Sequence, residues 1–190
     1  MRISTQTGDG ASRGSLDASK WAIALFCLLV GWGAPALAQE GQVQCTISEN
    51  GTASRGTIVV EQSGRKVASG SCARPVSVPA GASKVTIRLD KALDSPAKTV
   101  DVSVAAGKIA QVSVDFETAI LEVRVETKGT AGTAIIAIEK AGKRIGTVGS
   151  GVPAKLSAST YQVVVGWGGQ EKRYEVELRP GQRRLVRAQF

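Results

Sequence analysis

The chain has 190 residues, 24 Lys and Arg against 16 Asp and Glu (net +8), no histidine, and 4% aromatic residues. The missing imidazole excludes Ser-His-Asp and Cys-His machinery and removes the commonest general base near neutral pH. The scarcity of aromatics leaves almost no stacking platform for single-stranded nucleic acid.

The chain begins with a polar segment to Lys20, followed by the 18-residue apolar run Trp21-Ala-Ile-Ala-Leu-Phe-Cys-Leu-Leu-Val-Gly-Trp-Gly-Ala-Pro-Ala-Leu-Ala38. Small residues at Ala36 and Ala38 suit signal peptidase, so residues 1–38 read as a signal peptide cut before Gln39. A retained anchor is the alternative, since 18 residues just reach across a bilayer. Gly31, Gly33 and Pro35 favour cleavage. Cys27 follows Phe26 rather than the small residue a lipoprotein signal requires. After cleavage no membrane span is expected.

Beyond residue 38 no sustained 3.6-residue apolar period occurs. Short alternating runs follow one another: VQCTI from Val43, GTIVVE from Gly56, KVTIRLD from Lys84, TVDVSV from Thr99 and AQVSVDF from Ala110. They continue with LEVRVE from Leu121, TAIIAIE from Thr133, TYQVVVGW from Thr160, RYEVEL from Arg173 and LVRAQF from Leu185. Val, Ile and Thr in period 2, punctuated by Gly, Pro, Asn and Ser, predict an all-β fold of short strands with no helix. Asn50-Gly51 predicts a two-residue hairpin turn, although Asn50-Gly51-Thr52 is also a glycosylation sequon.

The pattern is written twice. A shift of 78 residues places Val43, Cys45 and Ile47 on Leu121, Val123 and Val125, Gly51-Thr52-Ala53 on Gly129-Thr130-Ala131, Gly64 on Gly142, and Pro75 on Pro153. The shift then becomes 74, because the first copy has four extra residues around Lys91-Ala-Leu-Asp-Ser-Pro-Ala97. Gly107 meets Gly181 and Phe116 meets Phe190. The expectation is two tandem small β-sandwich domains, residues 39–117 and 118–190. Gly151-Val-Pro-Ala-Lys-Leu-Ser-Ala-Ser-Thr-Tyr-Gln-Val-Val-Val-Gly-Trp167 and its counterpart Ala73–Leu89 read as hairpins. Trp167 falls in register with the core residue Leu89, which predicts a buried or half-buried ring.

The segment Val78-Pro-Ala-Gly-Ala-Ser-Lys-Val-Thr-Ile-Arg-Leu-Asp90 resembles the strand-turn-strand centre of the PEGA domain. Gly142–Trp167 resembles the same segment in PEGA and in carboxypeptidase-regulatory-like (transthyretin-like) domains. Ser157-Ala-Ser-Thr160 departs from the glycine-containing turn. The resemblance implies small β-sandwiches that act outside the cytoplasm as spacers or interaction modules, and it carries over no catalytic residue.

Cys45 and Cys72 are an even pair in an exported chain and are expected to form a disulfide. With no histidine, a tetrahedral zinc site lacks its usual ligands. Asp90, Asp94 and Asp101 around the extra loop are oxygen donors of the kind calcium takes, but Lys91 and Lys98 interleave them, and a solvated hairpin tip is expected. The glycines of Gly146–Gly151 have no following helix to hold a phosphate. No catalytic residue, cofactor or metal is expected. Residues 118–190 carry 12 Lys and Arg against 6 Asp and Glu, while residues 39–117 carry 9 against 8. Arg173, Arg179, Arg183, Arg184 and Arg187 are therefore candidates for contact with an anionic polymer. Strand alternation would set several of them on one outer face of the last two strands, where Glu171, Glu175 and Glu177 could neutralise them.

These features describe a non-catalytic exported protein of a bacterial envelope, periplasmic or extracellular, that works through contacts with an envelope or extracellular protein. The alternative is a binder of acidic polysaccharide or peptidoglycan. No nucleic-acid partner is expected. Intact-mass measurement of the exported product should give a chain starting at Gln39; a product that keeps Trp21–Ala38 in the membrane fraction overturns the cleavage.

Overall fold

The computed structural model describes residues 39–128 and 134–190. The leader expected over residues 1–38, its Cys27, and the repeat match at Gly129-Thr130-Ala131 lie outside the described residues. All described residues fall in one compact unit. Among them there is no helix, so none long and apolar enough to cross a membrane. The fold is all-β.

The first half runs β1 (Glu40–Glu49), β2 (Thr52–Ala53), β3 (Gly56–Gln62), β4 (Arg65–Ser71), β5 (Val76–Pro79), β6 (Gly81–Leu89), β7 (Ala97–Val104) and β8 (Ile109–Phe116). The second runs β9 (Thr118–Glu126), β10 (Ile135–Lys140), β11 (Lys143–Val148), β12 (Ala154–Ser157), β13 (Thr160–Trp167), β14 (Gln170–Glu177) and β15 (Arg183–Gln189). In the first half, β1 pairs antiparallel with β2 and β5 and parallel with β8, facing a second sheet of order β4-β3-β6-β7. In the second, β12-β9-β15 faces β11-β10-β13-β14, with β15 parallel to β9. Among the described residues no strand pairs across the halves.

Period-2 alternation fills each sandwich. Val43, Cys45 and Ile47 of β1 meet Ile58, Val60, Val85, Ile87 and Leu89 from the opposite sheet in one core. Leu121, Val123 and Leu156 meet Ile136, Ile138, Tyr161, Val163 and Val165 in the other. Ser63-Gly64 and Ala141-Gly142 both take positive φ, as a two-residue type I′ turn requires, and join β3 to β4 and β10 to β11. A bulge follows in each hairpin at the same repeat position, between Val60 and Glu61 and between Ile138 and Glu139. Trp167 is half-buried, 5.9 Å from the Phe190 ring.

Two expectations need correction. The Pro-led strand and the strand after it do not form a hairpin. β5 pairs with β1 while β6 pairs with β3 and β7; likewise β12 pairs with β9 while β13 pairs with β10 and β14. The turn is a corner between sheets. Only Ala80 separates β5 from β6, too short for the usual two-residue hairpin loop. The Ala80 N–H donates to the Gln39 carbonyl at 2.7 Å, and the equivalent Ala158 N–H to Glu117 at 2.9 Å, which ties each corner to the start of the halves' first strands. Strands β4 and β11 were not read from the sequence, because RKVASGS and KRIGTV are edge strands without an alternating valine row.

Cys45 of β1 and Cys72, in the turn after β4, are disulfide-bonded across the first sandwich. The second half has Val123 and Ser150 at these places, and there the Ser150 hydroxyl accepts the Val125 N–H at 2.9 Å. Closing a loop of 27 residues stabilises by about 3–4 kcal/mol in the chain-entropy account. Cys45→Ala with Cys72→Ala should lose stability of that order in denaturant titration, and denatured, unreduced wild type should show no free thiol.

Candidate functional site: the joint and the basic strands

One residue, Glu117, separates β8 from β9, so the strand ends of the two halves are forced into contact. The Asn50-Gly51 turn ends β1 there. Its positive φ values, 50° and 77°, are those of the expected hairpin turn. The Asn50 side chain does more than the turn requires: Oδ1 accepts the Thr118 N–H at 3.1 Å, and Nδ2 donates to the Thr118 carbonyl at 3.0 Å. The amide thus pairs with Thr118 as a strand residue would. Next to it the Glu49 carboxylate accepts the Thr118 hydroxyl at 2.6 Å and the Lys155 ammonium at 2.7 Å, with Ser54 Oγ at 3.2 Å. Burial by itself would raise the Glu49 carboxyl, but the hydrogen bonds from Lys155 and Thr118 and the Lys155 charge outweigh it and hold the group below its ordinary value.

A second contact comes from the four surplus residues of the first copy. Where β13 turns into β14 through Gly168-Gly169 alone, β6 and β7 are joined by Asp90–Pro96. This loop is not a solvated tip. The Leu93 N–H donates to the Lys155 carbonyl at 2.9 Å, and the Leu93 side chain packs against the second core. A Cβ on Gly146 would lie 2.6 Å from Leu93 Cδ1. The Asp94 carboxylate, 5% exposed, accepts the Ser157 N–H at 3.2 Å and the Tyr161 hydroxyl at 2.8 Å, with Lys140 Nζ at 3.9 Å. Burial, then the bond to Asp94 and its charge, push the Tyr161 phenol well above its ordinary value. The strap separates the aspartates: Asp94 turns to the second half, while Asp101 of β7 lies opposite Lys84 of β6. Among the described residues no group of three or more His, Cys, Asp and Glu gathers as a metal site.

The five candidate arginines do not share a face. β14 and β15 belong to opposite sheets of the sandwich, so Arg173 is on one and Arg183, Arg184 and Arg187 on the other, with Arg179 in the connection. Arg183, Leu185, Arg187 and Gln189 are exposed while Val186 and Ala188 are buried, as the alternation predicts. The carboxylates that meet the β15 arginines come from β9 rather than from Glu171, Glu175 or Glu177. Glu122 is gripped by Arg183 at 2.9 Å and Arg124 at 2.8 Å, which hold its carboxyl below its ordinary value, and Glu126 lies 3.8 Å from Arg187. Arg173 meets Glu171 at 2.8 Å and Glu139 at 3.7 Å, and Arg179 meets Glu177 at 3.4 Å. Arg184 alone of the five has no ion pair among the described residues.

A repeated device escaped the sequence reading. Lys98 lies over the Phe116 ring, 5.6 Å from its centroid, and donates to the Asp115 carbonyl; Lys172 lies 4.8 Å over Phe190 and donates to the Gln189 carbonyl. The second shift of the repeat superposes the two lysines, and that is the signal that could have found them. The strap also had a signal: a surplus in one copy beside a glycine, Gly146, where the other copy has Ala68.

No family model matches the chain, and no curated protein matches it. Among solved structures it is similar to the TIE protein of Bacillus anthracis (15% identity, TM-score 0.37, 80% of this chain and 34% of that one). It is also similar to a leucine-rich repeat protein of Bacteroides thetaiotaomicron (14%, TM-score 0.32, 80% and 26%). A suspected adhesin of Bacteroides ovatus gives 8% identity and a TM-score of 0.39 over 73% of this chain and 76% of that one. The chain spans about a third of the first protein's length and about a quarter of the second's. Likeness at this level carries no argument about activity.

Trp167 is the only tryptophan beyond residue 38, so its fluorescence reports on the second half. Leu93→Ala, a change in the first half, should destabilise the Trp167 transition by about 1–2 kcal/mol. Gly146→Ala should destabilise it as well, and less so when combined with Leu93→Ala, because the clash is relieved. Glu49 follows the sign for a depressed carboxyl: its contribution is full above the ordinary glutamate value and is lost as pH falls through the lowered one. Glu49→Gln should therefore cost about 1 kcal/mol at pH 7, and the difference from wild type should close in acid. A gap that stays constant to low pH overturns the ionised joint.

Proposed function

We propose that the protein is a non-catalytic structural or interaction module of the bacterial envelope, exported through its leader, built of two PEGA-like sandwiches and working through protein-protein contacts. The joint carries this reading. Glu49, Asn50 and Asp94, the polar groups a catalytic or ligand site would turn outward, are here spent on Thr118, Lys155, Ser157 and Tyr161. Such a molecule presents two sandwiches to a partner in a set relation. The Cys45–Cys72 disulfide fits an oxidising compartment, periplasmic or extracellular.

The second reading, contact with an acidic polysaccharide or peptidoglycan, rests on the cationic excess of residues 118–190 and on Arg184. Carboxylates already occupying Arg173, Arg179, Arg183 and Arg187 weaken it. Retention of the mature protein on purified envelope distinguishes the two. Binding to a protease-sensitive fraction that survives added salt supports the first. Binding to protease-stripped polymer that falls with salt and disappears in Arg183→Ser, Arg184→Ser, Arg187→Ser supports the second.

A further inference from the structure

We infer that β8, the outer edge of the first half, is a strand-addition surface, and that its occupant is β8 of a second copy of this chain, antiparallel across a two-fold axis. This names a partner for the contacts proposed above and rests on that reading.

The two halves act as controls for each other. β8 pairs only with β1 and β15 only with β9, so each leaves one long edge open. An open edge is a template for another strand, and proteins guard such edges with charge. β15 is guarded by Arg183, Arg184 and Arg187. The equivalent residues of β8 are Ile109, Ala110 and Ser113, and no residue from Ile109 to Val114 is charged. Ile109 is 48% exposed. The neighbouring strand repeats the contrast: β7 leaves Val100 36% exposed where β14 has the half-buried Tyr174, packed on the second core. The same open edge carries three arginines in one half and no charge from Ile109 to Val114 in the other; at its far end Lys98 donates to the Asp115 carbonyl, as Lys172 does to that of Gln189.

The second copy follows from the composition of the edge. Antiparallel pairing of β8 with itself about Val112 sets Ile109 opposite Asp115, Ala110 opposite Val114 and Gln111 opposite Ser113. No like charges meet; the Asp115 carboxylate already accepts the Gly51 N–H at 2.9 Å and its carbonyl takes Lys98, so the Gln111–Ser113 pairs at the centre carry the ladder. The same operation on β15 about Val186 would crowd six guanidinium groups into one ladder. A two-fold contact uses the same surface on both copies and closes, so it gives a dimer rather than a fibre.

Sedimentation equilibrium of the mature exported protein should show a shift from the mass of one chain to that of two as concentration rises through the micromolar range. Amide hydrogen exchange should slow with concentration in residues 109–115 and not in residues 183–189. Ile109→Arg with Ser113→Arg copies Arg183 and Arg187 onto exposed positions of β8, and should leave a single-chain mass at every concentration with the β circular dichroism unchanged. A wild type that stays monomeric overturns the proposal, as does a dimer whose protection lies outside β8 or that the double variant leaves intact. Failure of the interaction-module reading is seen separately, as salt-sensitive retention on stripped polymer that the double variant keeps.

Discussion

Two β-sandwiches joined by one residue cannot hang as beads on a string. With only Glu117 between β8 and β9, the polar ends of β1, β8 and β9 must meet, and a strand end removed from water needs partners for its backbone groups. The Asn50 amide is a local answer, since its oxygen and nitrogen reproduce the acceptor and donor of a neighbouring strand opposite Thr118. Glu49 then takes the Thr118 hydroxyl, and Lys155 balances its charge. Thr118 is 2% exposed, and every buried side-chain polar atom among the described residues has a partner. The turn between β1 and β2 could be made by many sequences; the joint needs a residue that can turn and pair at once.

Duplication makes the physics legible, because what is shared between the halves belongs to the fold and what differs belongs to specialisation. Shared are the type I′ turns with positive φ, the bulge that follows, the corner hydrogen bond, and the lysine laid over the last phenylalanine. These manage twist, sheet crossing and a frayed edge. The differences lie elsewhere. A disulfide in one half stands where a serine hydroxyl serves in the other, and a strap replaces a Gly-Gly turn. The strap makes the second half dependent on the first, since Leu93 completes a core that is otherwise residues of the second half.

Strand positions, the absence of helix among the described residues, the repeat and the half-buried Trp167 were readable because alternation and turn chemistry are local. Pairing is not local. A Pro-led strand followed by a valine row has the same period whether it folds back or crosses to the opposite sheet, so the corner at Ala80 read as a hairpin. The arginines failed for the same reason: residues alternating correctly along β14 and β15 were given a common face that their membership of opposite sheets denies. Asp94 looked solvated because carboxylates usually are; the surplus residues and Gly146 mark the socket only when the two copies are compared.

Charge is distributed in accordance with this division. Exposed ion pairs contribute little to stability, so the Glu126 pair with Arg187 is a weak candidate for holding the second half together, whereas the buried Glu122 needs Arg183 and Arg124 as partners for its charge. The arginines bear more on association, because an incoming strand would have to lie beside Arg183, Arg184 and Arg187. The first half has no arginine along this edge, only Lys98 at the Asp115 end, and it carries a covalent staple through Cys45 of β1, the strand that supports β8. An edge open to addition gains from a rigid strand behind it, since the incoming backbone then meets a ladder already fixed in register and less ordering accompanies binding. The disulfide is thus placed where a pre-formed edge has most use for it, in the half whose edge is plain.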